Sequence, residues 1–156
     1  MKQLVTYFSA TGTTARVAAT LAEAIGADVF EIRPREPYTP EDLDWWNPVS
    51  RSSLEMKDPA SRPGIGRRLE NMEAYDRIYV GFPIWWSVAP RIVKTFLEGY
   101  DFAGRQVIPF ATSGGTGPEK IYDDLAPSCP GADLKQGSLL QGDADFKTLA
   151  DWAETV

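Results

Sequence analysis

Leu4-Val5-Thr6-Tyr7-Phe8-Ser9-Ala10-Thr11-Gly12-Thr13-Thr14 is the stretch on which the fold turns. Leu4 to Phe8 is a short run of β-formers, and small and hydroxyl residues follow it. Apolar residues then recur at Val17, Ala18, Leu21, Ala22 and Ile25, the i, i+1, i+4, i+5, i+8 stripe of an amphipathic helix. Thr13 or Thr14 can cap its start, and Gly26 stops it. Val29 to Ile32 begins a second strand, which Pro34 ends. Strand, helix and strand at this spacing make a βαβ unit.

Further along, Arg77-Ile78-Tyr79-Val80-Gly81-Phe82 is a continuous β-type run that fits a strand buried on both faces. After Pro83-Ile84-Trp85-Trp86-Ser87 comes a helix whose inner face would be Ile92, Val93, Phe96 and Leu97. Val107 to Ala111 reads as a fourth strand, although Pro109 forfeits a ladder hydrogen bond and argues against an interior position. A helix through Ile121, Tyr122 and Leu125 follows, then a weaker fifth strand over Leu134 to Leu140. Leu149, Trp152, Ala153 and Val156 form a last helical stripe. Strands alternating with helices imply an α/β fold: a doubly wound, five-stranded parallel sheet covered on both faces in three α/β/α layers. Residues 1–156 read as one domain with a Pro-rich insertion at about 36–66, which contains Pro37, Pro40, Pro48, Pro59 and Pro63. A structureless loop of that length is unusual, so the insertion is expected to be packed in part or functional. Trp45, Trp46, Leu54 and Met56 are candidates for pinning it to the body.

Composition narrows the chemistry. The 156 residues are 43% hydrophobic and 24% charged, ordinary values for a globular protein. Cys129 is the single cysteine and histidine is absent, so there is no internal disulfide, no multi-cysteine metal site and no imidazole base. Chemistry here needs a bound cofactor or carboxylates. Cys129, before Pro130-Gly131 with no histidine near it, reads as a bystander. Asp123 and Asp124 read as a solvated helix surface. A formal charge of −6 argues against sequence-independent nucleic-acid binding. No segment approaches the roughly 18 apolar residues of a membrane span. The N-terminus looks like a strand and not like a secretory signal, which makes cytoplasmic residence the expectation.

In an open α/β sheet, ligands lie beyond the carboxyl ends of the strands, at the switch in strand order. Three unusual segments fall on that edge, after strands one, three and four. In the first, Ser9 to Thr14, successive backbone amides at a helix N-terminus make a site for a phosphate. Ser9, Thr11, Thr13 and Thr14 add hydroxyl donors, and Gly12 lets the chain turn tightly. The loop contains no lysine or arginine, so neutral donors must hold the anion. It lacks the Gly-Lys-Ser/Thr ending of a Walker A loop and the three spaced glycines of a dinucleotide fingerprint. A plain Ser/Thr helix cap is the competing reading.

Ser-x-Thr-Gly-x-Thr directly after an N-terminal strand resembles the FMN phosphate loop of flavodoxins. The likeness extends over nearly the whole chain and is closest to short flavodoxin-like proteins with Pro-Ile-Trp-Trp and Thr-Ser-Gly-Gly loops. It implies the strand order 2-1-3-4-5 and one noncovalent FMN, whose phosphate would lie on Ser9, Ala10, Thr11, Gly12, Thr13 and Thr14. The ring system would lie between Pro83, Ile84, Trp85 and Trp86 and the loop of Thr112, Ser113, Gly114, Gly115 and Gly117. Of two adjacent tryptophans in an extended loop, only one is expected to cover the flavin closely. Tyr38 lies in the insertion, where nothing in the spacing connects it to the flavin.

The implied activity is electron transfer, with a redox partner protein or a small-molecule donor or acceptor, in a monomer or homodimer. Electron-carrier flavodoxins usually place a glycine in the loop occupied here by Ile84 to Ser87, and a positive φ is harder for larger residues. An alternative is therefore an NAD(P)H-dependent FMN oxidoreductase acting on quinones, nitro compounds or flavins. In it, Arg91 or an arginine of the 36–66 segment would meet the nicotinamide nucleotide's phosphates. Arg91 otherwise reads as a solvated residue at a helix start. A non-catalytic FMN-bound interaction or sensing protein is a further alternative. A receiver-like signalling domain is excluded by Phe8-Ser9 and Phe82-Pro83, which stand where it would need acidic strand ends.

Overall fold

The computed structural model describes residues 2–113 and 115–156. Its strands are β1 (Gln3–Tyr7), β2 (Asp28–Glu31), β3 (Arg77–Pro83), β4 (Gln106–Thr112), β5 (Asp133–Leu134) and β6 (Ser138–Leu139). Its α-helices are α1 (Thr13–Ile25), α2 (Arg51–Lys57), α3 (Arg91–Glu98), α4 (Ile121–Leu125) and α5 (Phe146–Thr155). All strand pairs are parallel, in the order β2-β1-β3-β4-β5, with β6 also against β4. β5 and β6 are two halves of the fifth strand expected over Leu134 to Leu140.

Pro109 accounts for that split. The carbonyls of Val107 and Ala111 accept from the Lys135 and Leu140 amides, at 2.9 and 2.8 Å. Pro109 stands midway between them, so its backbone faces the same neighbour and has no N–H to give. The ladder is interrupted opposite it, between Leu134 and Ser138. The expectation that Pro109 disfavours an interior strand is therefore corrected. β4 is interior, Pro109 is in register with Val80 of β3, and the outer strand breaks where the donor is missing.

The sheet's two faces carry separate cores. Leu4, Ile78, Val80, Phe82, Val107 and Ala111 pack with Ile92, Val93, Phe96 and Leu97 of α3. Val5, Tyr79, Ile108 and Phe110 pack with Val17, Ala18, Leu21 and Ala22 of α1 and with Leu149 and Ala153 of α5. Each large apolar side chain so buried contributes about 1.5–3 kcal/mol. The helical stripes read from sequence are the faces that meet the sheet.

Two glycines bound α1. Gly26, with φ 68°, ends it and donates to Ala22 O. Gly12, with φ 96°, is the N-cap residue, and no side chain caps the helix. The cap expected from Thr13 or Thr14 is therefore not made: both lie inside the first turn.

The insertion leaves and rejoins the body at one neck, where Pro34 and Ile65 form an antiparallel bridge. Arg35 N donates to Gly64 O at 2.8 Å, and Gly66 N donates to Arg33 O at 2.8 Å. Inside it, α2 is capped by Ser50 Oγ, which accepts from Ser53 N. Arg91 donates to the carbonyls of Glu55 and Met56, at 3.4 and 3.0 Å, in the last turn of α2, where the Glu55 carbonyl also accepts from the Asp58 amide. Arg91 and Lys94 are both buried, 3.7 and 3.5 Å from Asp124 Oδ1. This corrects two sequence expectations, a solvated Arg91 and a solvated Asp124; only Asp123 of the acidic pair is exposed. Of the four candidate pins, Met56 is buried. Trp45, Trp46 and Leu54 are 61%, 78% and 52% exposed, and the two tryptophans stack on each other with centroids 4.2 Å apart. Polar capping, not tryptophan burial, holds the segment.

At the centre of the sheet, a side-chain carbon on Gly81 would stand 2.2 Å from Cζ of Phe110, its partner on β4. Phe110 is fully buried and meets the Trp152 ring, so it has little room to move. Gly81→Ala is expected to lower unfolding free energy by about 2 kcal/mol. Phe110→Leu in the same chain should return part of that loss, both measured by urea denaturation.

Candidate functional site

β1, β3 and β4 end side by side, and the loops that follow them meet in a cleft of about 690 Å³. That volume lies within the ordinary range of small-molecule sites. Ala10 and Thr11 line it from the first loop, Ile84, Trp85 and Trp86 from the second, and Ser113, Gly115 and Thr116 from the third. Leu43, Trp45 and Ser52 line it from the insertion. Of the other residues singled out from sequence, Ser9, Gly12, Thr13, Thr14, Pro83, Thr112 and Gly117 do not line the cleft itself, and Gly114 lies outside the described residues.

The first loop is pre-shaped around Gly12. Ser9 Oγ accepts from the Gly12 amide at 3.1 Å, and Gly12 O accepts from Arg16 N at 3.1 Å, so the chain is already wound for the first turn of α1. That turn contains no acidic residue and its amides meet no capping side chain. It is therefore a concentration of partial positive charge. Thr11 and Thr13 are exposed there. Thr14 departs from the sequence reading. Its hydroxyl is buried and shares a hydrogen bond of 2.8 Å with Thr112 Oγ1 at the end of β4. It ties the first loop to the third, and either hydroxyl can be the donor.

The second loop closes on itself. Trp85 and Val88 exchange backbone hydrogen bonds of 2.9 and 3.1 Å around Trp86 and Ser87, whose φ values are 49° and 73°. Positive φ at both central positions marks a type I′ turn, for which glycine or asparagine is usual. Each non-glycine residue there costs about 1–2 kcal/mol. The absence of glycine thus does not keep this loop out of the left-handed region. The Ile84 amide donates to Thr112 O at 3.0 Å, fixing the second loop against the third. Trp85 is half-buried, with Phe8 and Tyr38 rings edge-on at 5.7 and 5.6 Å, whereas Trp86 is 50% exposed. Trp85 is the ring held by its neighbours and Trp86 the freer one, and both line the cleft.

In the third loop, Ser113 Oγ accepts from the Gly115 and Thr116 amides at 3.2 and 3.0 Å. A side-chain carbon on Gly115 would meet no atom within 4 Å, so the space beside its backbone is open. Tyr38 braces Trp85 from below, and its hydroxyl donates to Glu55 of α2. Burial, reinforced by that hydrogen bond, raises the phenol well above its usual pKa. Cys129 is buried, and burial raises its thiol pKa too, in keeping with an inert residue. Among the described residues, no group of three or more acidic or cysteine side chains could hold a metal ion, and no helix is long and apolar enough to cross a membrane.

Sequence reasoning missed Leu43 and Ser52 altogether. Trp45 drew notice only as a pin. No local pattern marks an insertion residue as cleft-lining when it is folded back by Arg91, a contact between distant segments.

A doubly wound parallel sheet with a ligand cleft at the carboxyl edge of β1, β3 and β4 defines the class. A flavodoxin family model matches residues 2–156, and the chain belongs to the flavodoxin family. It is similar to the crystal structure of a candidate flavoprotein from Bacteroides eggerthii DSM 20697, at 48% identity, TM-score 0.93, covering 99% of this chain and 97% of that one. A candidate flavoprotein from Bacteroides uniformis ATCC 8492 is similar at 49% identity and TM-score 0.93, covering 98% and 97%. A flavoprotein in complex with FMN from Lactobacillus acidophilus NCFM shares the fold at 22% identity and TM-score 0.74, over 97% and 98% of the two chains. No curated protein matches the sequence.

The Thr14–Thr112 hydroxyl pair joins two of the three loops where water is excluded. Thr112→Val, or Thr14→Val, leaves one buried hydroxyl unmet and should cost about 1–2 kcal/mol. The double variant should cost clearly less than the sum of the two, a coupling read from a double-mutant cycle of chemical denaturation.

Proposed function

We propose that the chain binds one FMN noncovalently and carries electrons through it to and from a partner protein. The observation that carries this reading is the meeting of three loops, on one cleft, beside an uncapped helix start. The residues present suit the nucleotide. The amides of the first turn of α1, with Ser9, Thr11 and Thr13 beside them, offer neutral donors for a phosphate dianion. Ile84, Trp85 and Trp86 offer an apolar and aromatic wall for a flat ring, worth about 1 kcal/mol beyond area burial. The open backbone at Gly115 admits a ring edge close to its amide.

Once bound, FMN would supply the redox chemistry, accepting and returning electrons. The chain's own part is to bind and orient. The strained Trp85–Val88 turn and the Ile84–Thr112 hydrogen bond hold the aromatic wall in place. Ser113 fixes the amides of its own loop.

The carrier is favoured over an NAD(P)H-dependent oxidoreductase because the cations that would meet a second nucleotide are committed elsewhere. Arg91 is buried against α2 and Asp124. Arg51 pairs with Glu55 and donates to Glu36 O. Arg62 pairs with Glu98.

Thr13→Glu tests the phosphate site. A carboxylate in the first turn complements the helix dipole, so the variant should be at least as stable as wild type. Set against a phosphate dianion, the same carboxylate should weaken FMN binding by roughly a hundredfold or more. Wild-type affinity in a flavin-fluorescence titration would show that the phosphate is held elsewhere. With FMN loaded, no steady NAD(P)H consumption is expected in the presence of a quinone; sustained turnover would select the oxidoreductase.

A further inference from the structure

We propose that the 36–66 insertion supports the cofactor site from behind: α2 fixes Tyr38, and Tyr38 sets the direction of the Trp85 ring in the flavin wall. This rests on the FMN reading above and gives the insertion a role that the three loops do not supply. Tyr38, Arg51 and Glu55 do not line the cleft, so each would act as a positioning residue. The Trp85–Val88 hydrogen bonds fix the main chain of the second loop, but they leave the indole free to change rotamer. Its aromatic neighbours are Phe8 and Tyr38, edge-on at 5.7 and 5.6 Å. Phe8 and Tyr38 also meet each other at 5.6 Å, which closes a triangle of three rings.

The two supports differ in kind. Phe8 is 1% exposed and follows directly on β1, so the sheet holds it. Tyr38 lies between β2 and α2, outside any strand or helix, and α2 sets its place. Its hydroxyl donates to Glu55 Oε1, and the Arg51 guanidinium lies over its ring, 3.8 Å from the centroid. Arg51 is held in turn by Glu55 at 3.0 Å and by the Glu36 carbonyl at 2.8 Å. The raised phenol pKa keeps that hydroxyl protonated, and so donating, at ordinary pH. Tyr38 is thus gripped at its tip and over its face while it meets Trp85 edge-on. Ordering a mobile side chain on binding weakens affinity about twofold to tenfold, and a ring already held avoids that loss. That factor is what α2 contributes to flavin binding without touching the ligand.

Fluorescence titrations of FMN and riboflavin on the folded apoprotein, with near-UV circular dichroism of its tryptophans, test this. Tyr38→Leu keeps an apolar group but removes the ring, and should weaken both flavins by the same factor, about threefold to tenfold. The tryptophan dichroism of the apoprotein should fall with it. Arg51→Gln, remote from the cleft, should weaken both flavins about twofold to threefold. In the Tyr38→Leu chain the same change should add nothing, because the link is already cut. Unchanged affinity in either single variant would overturn the proposal, as would two losses that simply multiply. A packing role alone would lower resistance to urea and leave flavin affinity as it was. Should Tyr38→Leu not fold, Arg51→Gln decides alone. Wild-type apoprotein that leaves flavin fluorescence unquenched would remove the FMN reading itself, and this proposal with it.

Discussion

Because β1, β3 and β4 run in the same direction and lie side by side, the chain leaves all three on one edge. Everything at the site follows from that constraint. The sheet interior is filled by large side chains from both faces, with Gly81 giving way to Phe110 at the centre. The strands cannot slide without emptying one core, since a one-residue slip turns every side chain to the other face. The loops inherit this rigidity. Cross-links at their bases, Thr14 to Thr112 and Ile84 to Thr112, make the end of β4 the common anchor.

The electrostatics run against long-range expectation. A chain of net charge −6 offers no lysine or arginine in residues 9–14 for a phosphate. Distant surface carboxylates are screened over about 8–10 Å at ordinary ionic strength. The start of α1 carries about half a positive charge at contact distance. Local dipoles therefore outweigh the net charge, provided no carboxylate enters the first turn, and none does.

Much of this was legible because it is local. The stripe at Val17, Ala18, Leu21, Ala22 and Ile25 specified α1, and the run at Ile78 to Phe82 specified a strand buried on both faces. What stayed hidden depended on partners far away in sequence. Pro109 looked wrong for an interior strand because the matching gap in its neighbour could not be foreseen. Arg91 and Asp124 looked solvated because nothing local reveals that α2 will bring its carbonyl ends to Arg91. Trp45 and Trp46 looked like pins because aromatic residues usually bury themselves, whereas here they stack on each other in the open. Ser52 had no signal at all.

A comparison of FMN with riboflavin on the wild-type apoprotein, by quenching of flavin fluorescence, isolates the terminal phosphate. Charge-assisted hydrogen bonds contribute about 1.5–3 kcal/mol each, so FMN should bind at least tenfold more tightly. Equal affinity for the two flavins would contradict a phosphate grasped by the amides at the start of α1.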